Sequence, residues 1–216
     1  MDEDVLELTA EKARIFRITH IDNLGWILAN GLHCSSFHIQ DPNFIQIGNP
    51  DLISKRAGKV VPVPPGGTLD DYIPLYFTPF SPMLYNIRTG WGGIHQRPMR
   101  EIVILVSSLH ELIRHGVPFL ITDRHAYLAT AQFSSDLADL SRLDWKILQA
   151  RDFERDPRDL GKFERYQAEA LVHRHLPVAA LTGIVCHAPA EEERIREMMH
   201  NVAVDCPLAA RPSWFF

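Results

Sequence analysis

The run Ala57-Gly-Lys-Val-Val-Pro-Val-Pro-Pro-Gly-Gly67 most restricts what this chain can fold into. Proline fixes φ and removes a donor, while paired glycine opens backbone angles closed to other residues. Neither a regular helix nor a central strand can pass through such a run. Lys55-Arg56 precedes it and Asp70-Asp-Tyr-Ile-Pro74 follows it. A defined irregular loop inside a compact chain more often carries function than packing.

The rest reads as an ordinary globular protein. With 216 residues, 46% hydrophobic and 23% charged, it can bury a sizeable core without staples. The longest apolar run, Ile102 to Val106, is the length of a strand, so no membrane span is expected. The acidic N-terminus lacks the basic n-region and apolar stretch of a secretory signal. Cys34, Cys186 and Cys206 are far apart with no CxxC, which supports neither a disulfide framework nor a zinc knuckle. A reducing cytoplasm is the expected compartment.

The formal charge of −5 at first argues against nucleic acid, but it resides in the first eleven residues: Asp2, Glu3, Asp4, Glu7 and Glu11 have no positive counterpart. The remainder is neutral. Between 88 and 125 come Arg88, His95, Arg97, Arg100, His110, Arg114, His115, Arg124 and His125, opposed by Glu101, Glu111 and Asp123. Composition allows a local basic surface or a mixed, solvated one.

Arg14–Thr19 reads as a strand, with Asp22 as N-cap of a helix from Asn23 to Asn30 ended by Gly31. Tyr72–Phe77 and Glu101–Val106 read as strands. Ser107 or Ser108 caps a helix to about His115, and Val117–Thr122 is a further strand. Ser134–Leu140, Asp144–Ala150 and Ala190–Asn201 look helical, Leu181–His187 extended, and 163–175 fits either state. Strands and helices mix without βαβ alternation, so the class is α+β, with one domain from 14 to 216 after an acidic extension, 1–13.

GxGxxG, GxxxxGK[ST], GxSxG and HExxH are all absent. His173 and His175 would share a strand face, but a pair without a third ligand reads as surface or partly buried histidine, and no metal is expected. The strand–helix junction Arg17 to Leu24 could offer free N–H groups to a ligand, though an ordinary junction is the simpler reading. Glu169, in Tyr166-Gln-Ala-Glu-Ala-Leu-Val172, sits at the edge of an apolar stretch. A carboxylate there needs a partner or a task; a surface pair with Arg165 or Arg174 is the plainer alternative.

Seven ordered blocks together resemble the DarT family, the toxin half of DarT–DarG toxin–antitoxin systems. They are Arg17–Leu24, Pro64–Gly67, Asp71–Phe77, Ser81–Tyr85, Pro118–Ala126, Gln167–Val172 and Trp214–Phe216. The resemblance spans roughly Ile15 to Phe216 and is to the branch that targets thymidine. It implies an ADP-ribosyltransferase core, a split and mostly antiparallel sheet with peripheral helices, using NAD to modify bases in single-stranded DNA. It implies Glu169 and Arg56 as catalytic residues, and Arg17, Ile18, Thr19, Asn23, Trp26 and Arg56 as the NAD site. Position 17 departs from relatives that carry His there. Tyr85, Arg124, His125 and Tyr127 are the implied DNA contacts, although packing explains the tyrosines equally well. A DarG-like macrodomain antitoxin is the implied partner. Guanine, RNA or protein acceptors, or an inactive NAD- or nucleic-acid-binding module, are the alternatives.

An arginine has been proposed in the family as acceptor of the thymine proton. Its pKa above about 12 makes stabilisation of negative charge the more physical role for Arg56. Water or His125 is then a candidate base.

Overall fold

A computed structural model describes residues 6–216; the first five, with three of the five acidic residues of the 1–13 extension, lie outside the described residues. From Leu6 onward the segment is not detached. Leu8 is buried, its carbonyl accepts from Gln149, and the Glu11 carbonyl bonds the His110 ring.

Ten strands form in chain order: β1 (Arg14–His20), β2 (Leu32–His33), β3 (Tyr72–Tyr76), β4 (Ile102–Ser108), β5 (Phe119–Thr122), β6 (Phe133–Ser134), β7 (Glu169–His173), β8 (His175–Leu176), β9 (Gly183–Cys186) and β10 (Leu208–Ala210). Around them lie α1 (Leu24–Asn30), α2 (Pro50–Ala57), α3 (Pro82–Thr89), α4 (Leu109–Arg114), α5 (Trp145–Ala150), α6 (Lys162–Tyr166) and α7 (Pro189–Asn201). Eight strands make one sheet in the order β10-β9-β4-β1-β3-β7-β5-β6, antiparallel throughout except for β10 beside β9. The α+β expectation holds. Strand β4 carries an unbroken buried run from Ile102 to Val106, because a central strand covered on both faces has no use for polar alternation.

The sheet is split at one seam. Strand β1 pairs with β4 along its whole length, Arg14↔Ser108 to His20↔Ile102. Strand β3 pairs with β7 from Tyr72↔His173 to Tyr76↔Glu169. Between β1 and β3 the register consists of Phe16↔Tyr76 alone. Beyond Phe16 the two strands diverge and leave the edge of β1 facing an opening.

The proline-glycine loop folds back as a strap beside that opening. Val60 and Thr68 form a bridge, Val61 N–H donates to Gly67 O at 2.9 Å, and the Tyr72 hydroxyl reaches Gly66 O at 2.7 Å. Thr68 and Asp71 make a capping box. Gly67, at φ 79°, presses on the Asp71 carboxylate where a Cβ would collide, so only glycine fits. The Pro64–Pro65 peptide is cis. Beneath the strap Val61, Leu69, Tyr72, Leu120, Ala126 and Leu171 form a second small core. Helix α2 runs to Ala57, so Arg56 sits in its last turn rather than in the loop.

Three local expectations are corrected. Asp22 is not the cap: a 3-10 turn over Ile21–Asn23 starts one residue early, the His20 ring accepts from Asp22 N–H at 3.1 Å, and Asp22 pairs with Arg194 at 2.5 Å. His173 and His175 do not share a strand, because Arg174 takes φ 62° between β7 and β8; His173 tilts on Tyr72 and His175 stacks on His33. The basic run forms no continuous positive surface. Arg97 pairs with Glu101, Arg114 and His115 with Glu111, Arg124 with Asp123, and His125 is buried. Among the described residues no helix is long and apolar enough to cross a membrane.

Candidate active site

The opening at the seam is a cavity of about 450 Å³, within the ~300–1,000 Å³ typical of small-molecule sites. Arg17, Ile18 and Thr19 of β1 line one wall, and Tyr72, Pro74 and Tyr76 of β3 the other. Trp26 of α1, Phe44 of the following loop, Arg56 of α2, His125 and Glu169 complete it.

Glu169 lies at the bottom, 1% exposed at the first residue of β7. Its Oε1 and Oε2 accept from Arg56 Nη1 at 2.9 and 3.1 Å, and Oε2 also accepts from Ala126 N–H at 2.8 Å. The surface-pair alternative is thereby set aside, since Arg165 instead serves Asp144 and Asp159. Burial alone would raise the carboxyl pKa. The Arg56 guanidinium, nearby His125 and the Ala126 N–H outweigh it and hold Glu169 below its ordinary value, ionised at neutral pH. Thr122 on β5, fully buried, accepts from Glu169 N–H at 3.1 Å and donates to Arg124 O at 2.7 Å. That hydroxyl ties the start of β7 to the turn bearing His125.

Two guanidinium groups converge on this single carboxylate. Arg17 Nη1 spans the seam to Pro74 O at 2.9 Å. Arg17 Nε and Arg56 Nη2 are buried with no partner among the described residues. Burial depresses the Arg17 pKa, with Arg56 adding to this and Tyr76 and Glu169 opposing it. Unfilled donors and an excess of buried positive charge suit an anionic ligand. Tyr76, cross-strand from Glu169, has its phenol pushed up to about 12 by burial and the Glu169 charge, so it stays protonated.

His125 is also neutral at pH 7, because burial lowers its pKa, with Glu169 opposing and Arg56 reinforcing the shift. Its Nδ1 accepts the Tyr127 N–H at 3.2 Å, which assigns the ring proton to Nε2. In this tautomer Nε2 is a donor, not a base.

Arg17, Ile18, Thr19, Trp26, Arg56, His125 and Glu169 are thus brought together around one cavity. Asn23 is not in its lining. It is buried, donates to Thr19 Oγ1 at 3.1 Å and to Ile45 O at 2.9 Å, and accepts from Ile45 N–H at 2.8 Å. It braces the wall instead. Tyr85, Arg124 and Tyr127 lie outside the lining. Tyr85 and Tyr127 are partly exposed, and Arg124 is chelated by Asp123 Oδ2. Sequence reasoning missed Tyr76 and Thr122. The alternation Tyr72, Pro74, Tyr76 along a strand already placed at Tyr72–Phe77 was the signal for the first. Thr122 had none, because its role depends on which strand β5 pairs with.

A split antiparallel sheet, with the free edge of its first strand and a buried glutamate flanking one cleft, is an ADP-ribosyltransferase fold. The family described as "ssDNA thymidine ADP-ribosyltransferase, DarT" matches residues 16–216, and the chain belongs to that family. A DNA ADP-ribosyl transferase from Escherichia coli O127:H6 is 52% identical over 209 residues, covering 97% of this chain and 96% of the relative. The solved structure of Thermus sp. 2.9 DarT with ADP-ribosylated ssDNA superposes with a TM-score of 0.87 at 33% identity, over 95% of this chain and 97% of that one. The same Thermus protein has been solved with NAD+, at a TM-score of 0.82 and 34% identity over 95% of this chain and 98% of that one. More distant is a Thermosipho africanus fusion of a DNA ADP-ribosyl transferase with a DNA ADP-ribosyl glycohydrolase, 22% identical over 94% of this chain and 49% of the fusion.

Proposed function

We propose that this chain transfers ADP-ribose from NAD to thymidine in single-stranded DNA, with Glu169 and Arg56 as its catalytic pair. NAD, consumed as co-substrate, supplies the ADP-ribosyl group and nicotinamide as the leaving group. The observation that carries the residue assignment is the buried Arg56–Glu169 ion pair at the floor of the seam. The free edge of β1 at Arg17, Ile18 and Thr19 offers backbone groups to an amide such as the nicotinamide carboxamide, as strand edges do for peptides. Trp26 gives an aromatic wall, and Arg17 Nε and Arg56 Nη2 are donors for the diphosphate or for the base as it turns anionic.

Glu169 stabilises the positive charge that develops on the ribose as nicotinamide departs, the role a carboxylate plays beside an oxocarbenium-like centre. Its ionised state at neutral pH fits that task. Arg56 orients Glu169 and offsets charge on the thymine as its ring nitrogen loses a proton. With His125 neutral and protonated at Nε2, the ring donates a hydrogen bond and leaves water as the proton acceptor. A single-stranded acceptor follows, because duplex pairing buries the reacting nitrogen. Tyr85 and Tyr127 are stacking candidates near the cleft, and Asn23 acts by holding the cleft wall.

Residues 14–216 act as one catalytic unit. The natural partner is a DarG-like antitoxin that removes ADP-ribose, a pairing the Thermosipho fusion joins in one chain; the compartment is the cytoplasm. Incubation with labelled NAD and single-stranded oligonucleotides, duplex, RNA or protein tests the reading. Label on single-stranded DNA that requires Glu169 supports it. Label on protein alone, or on no nucleic acid, overturns it.

A further inference from the structure

Trp91 is 71% exposed, and among the described residues no ring contact covers it. A single exposed aromatic is ordinary on a protein surface, so this indole counts only together with what surrounds it. The chain also spends structure on holding it there. Helix α3 ends at Gly90 in a left-handed conformation, φ 74°, which turns the chain outward at Trp91. The Trp91 N–H donates to Thr89 Oγ1 at 3.3 Å, and that hydroxyl donates to Tyr85 O at 2.8 Å. Gln96 Nε2 bonds Arg88 O at 2.9 Å and closes the turn. Trp91 is therefore coupled by hydrogen bonds to the turn that bears Tyr85.

Tyr85 is 39% exposed, its ring held edge-on by Phe153 and Phe216 at 5.7 and 5.8 Å. Between the two aromatics lies Arg88, exposed and with no side-chain partner among the described residues, unlike Arg97, Arg114 and Arg124 further on. Met83, in the first turn of the same helix, lines the cleft. A free cation and two exposed rings within one short segment that borders the active site match the chemistry of a single-stranded nucleic acid. Base faces stack on the rings, and the backbone phosphate meets the guanidinium.

We infer that Tyr85, Arg88 and Trp91 form a ledge outside the cleft that binds nucleotides flanking the modified thymidine. The ledge rests on the reading of the chain as a single-stranded DNA ADP-ribosyltransferase. Its occupant is the substrate strand itself, and its effect is to favour long acceptors over short ones. Sequence tolerance is expected, since every base has a face to stack.

The test compares the native chain with Trp91→Ala, Trp91→Phe and Arg88→Ser on thymidine oligonucleotides of about 4 and about 16 nucleotides, the range such tracks cover. The native kcat/KM rises with length. Trp91→Ala loses about tenfold of that rise, as expected for one lost stacking contact, and Trp91→Phe keeps most of it. Arg88→Ser flattens the log–log salt dependence by about one unit, the share of one phosphate contact. Both side chains are exposed, so the core is untouched and folding is not a confounder. Anisotropy of a labelled strand without NAD separates the two claims. A native chain that modifies no DNA overturns the functional reading. Unchanged affinity of Trp91→Ala for the long strand, or a change only in its self-association by sedimentation, overturns the ledge.

Discussion

A carboxylate 1% exposed has to be paired, and Glu169 is held by Arg56 and by the Ala126 N–H. The choice of substitution then decides what an experiment reports. Glu169→Gln keeps an oxygen for Ala126 but leaves the Arg56 charge uncompensated; transfer to DNA should fall roughly 10²–10³-fold, as when one preorganised electrostatic group is lost, and stability should fall as well. Alanine at Glu169 or Arg56 leaves the other member of a buried pair alone, and denaturant unfolding should show a loss of about 3–5 kcal/mol. Native stability in both alanine variants would sink the buried-pair account. His125 adds a pH signature. Its folded pKa is depressed, so the stability linked to its neutral form is complete above the unfolded value near 6.5 and drains away as pH falls below it. Buried-pair carboxylate stability at Glu169, also depressed, is lost only at more acid pH, below about 4.3. Melting temperature between pH 5 and 8 should therefore fall on the acid side in the native chain and fall less in His125→Gln. The residues of this site were named in advance by the family resemblance; read from its neighbours alone, Glu169 fitted a surface pair better. The His125 tautomer was not legible, because the bond that sets it comes from Tyr127, two residues on and invisible to spacing.

At the level of elements, patterning found β1, β3, β4 and α7 because each carries a strong periodic signal or clear ends. It missed β2, β6, β8 and β10, two- and three-residue strands that owe their existence to a neighbour rather than to their own composition. Residues 163–175 were ambiguous for a physical reason: they hold both α6 and β7, and the break at Gln167-Ala168 lacks proline or glycine. The split in the sheet came from the family resemblance alone, since it is a property of strand pairing and not of any strand. Asn23 is where sequence pointed to the right region and geometry altered the role. Its amide is spent on Thr19 and on both backbone groups of Ile45, so it fastens the cleft-lining segment 44–49 to β1. Asn23→Ala strands those buried groups, and should cost about 1–3 kcal/mol. It should raise KM for NAD well beyond any change in kcat, since the wall loosens while Glu169 and Arg56 remain. A variant with lowered kcat and unchanged KM would instead put Asn23 in the chemistry.

Across the whole molecule, the parts of the site differ in how firmly they are held. Glu169, Thr122 and the first residues of β1 belong to the sheet and its core. The proline-glycine strap is bonded to itself and to Tyr72, and it covers a small core of its own. Helix α2 is different: none of its residues is buried, and its anchors are the Asn49 cap and the reach of Arg56 to Glu169. An element with so little burial opens at low free energy, whatever the global stability. The proline-glycine run lies downstream of Arg56, and the weakly buried segment is the helix upstream. Ligand in the cleft adds contacts to Arg56 and to Leu52 and Ile53, which line the cavity from α2. Binding must therefore stabilise the closed position of this helix over its open one. In hydrogen exchange, amides of Leu52–Ala57 should exchange early in the free protein and slow by at least tenfold with a saturating non-hydrolysable NAD analogue, while those of β4 stay protected in both. Exchange in α2 as slow as in β4 without ligand would show the helix already locked. Exchange unaffected by the analogue would remove Arg56 from the NAD site.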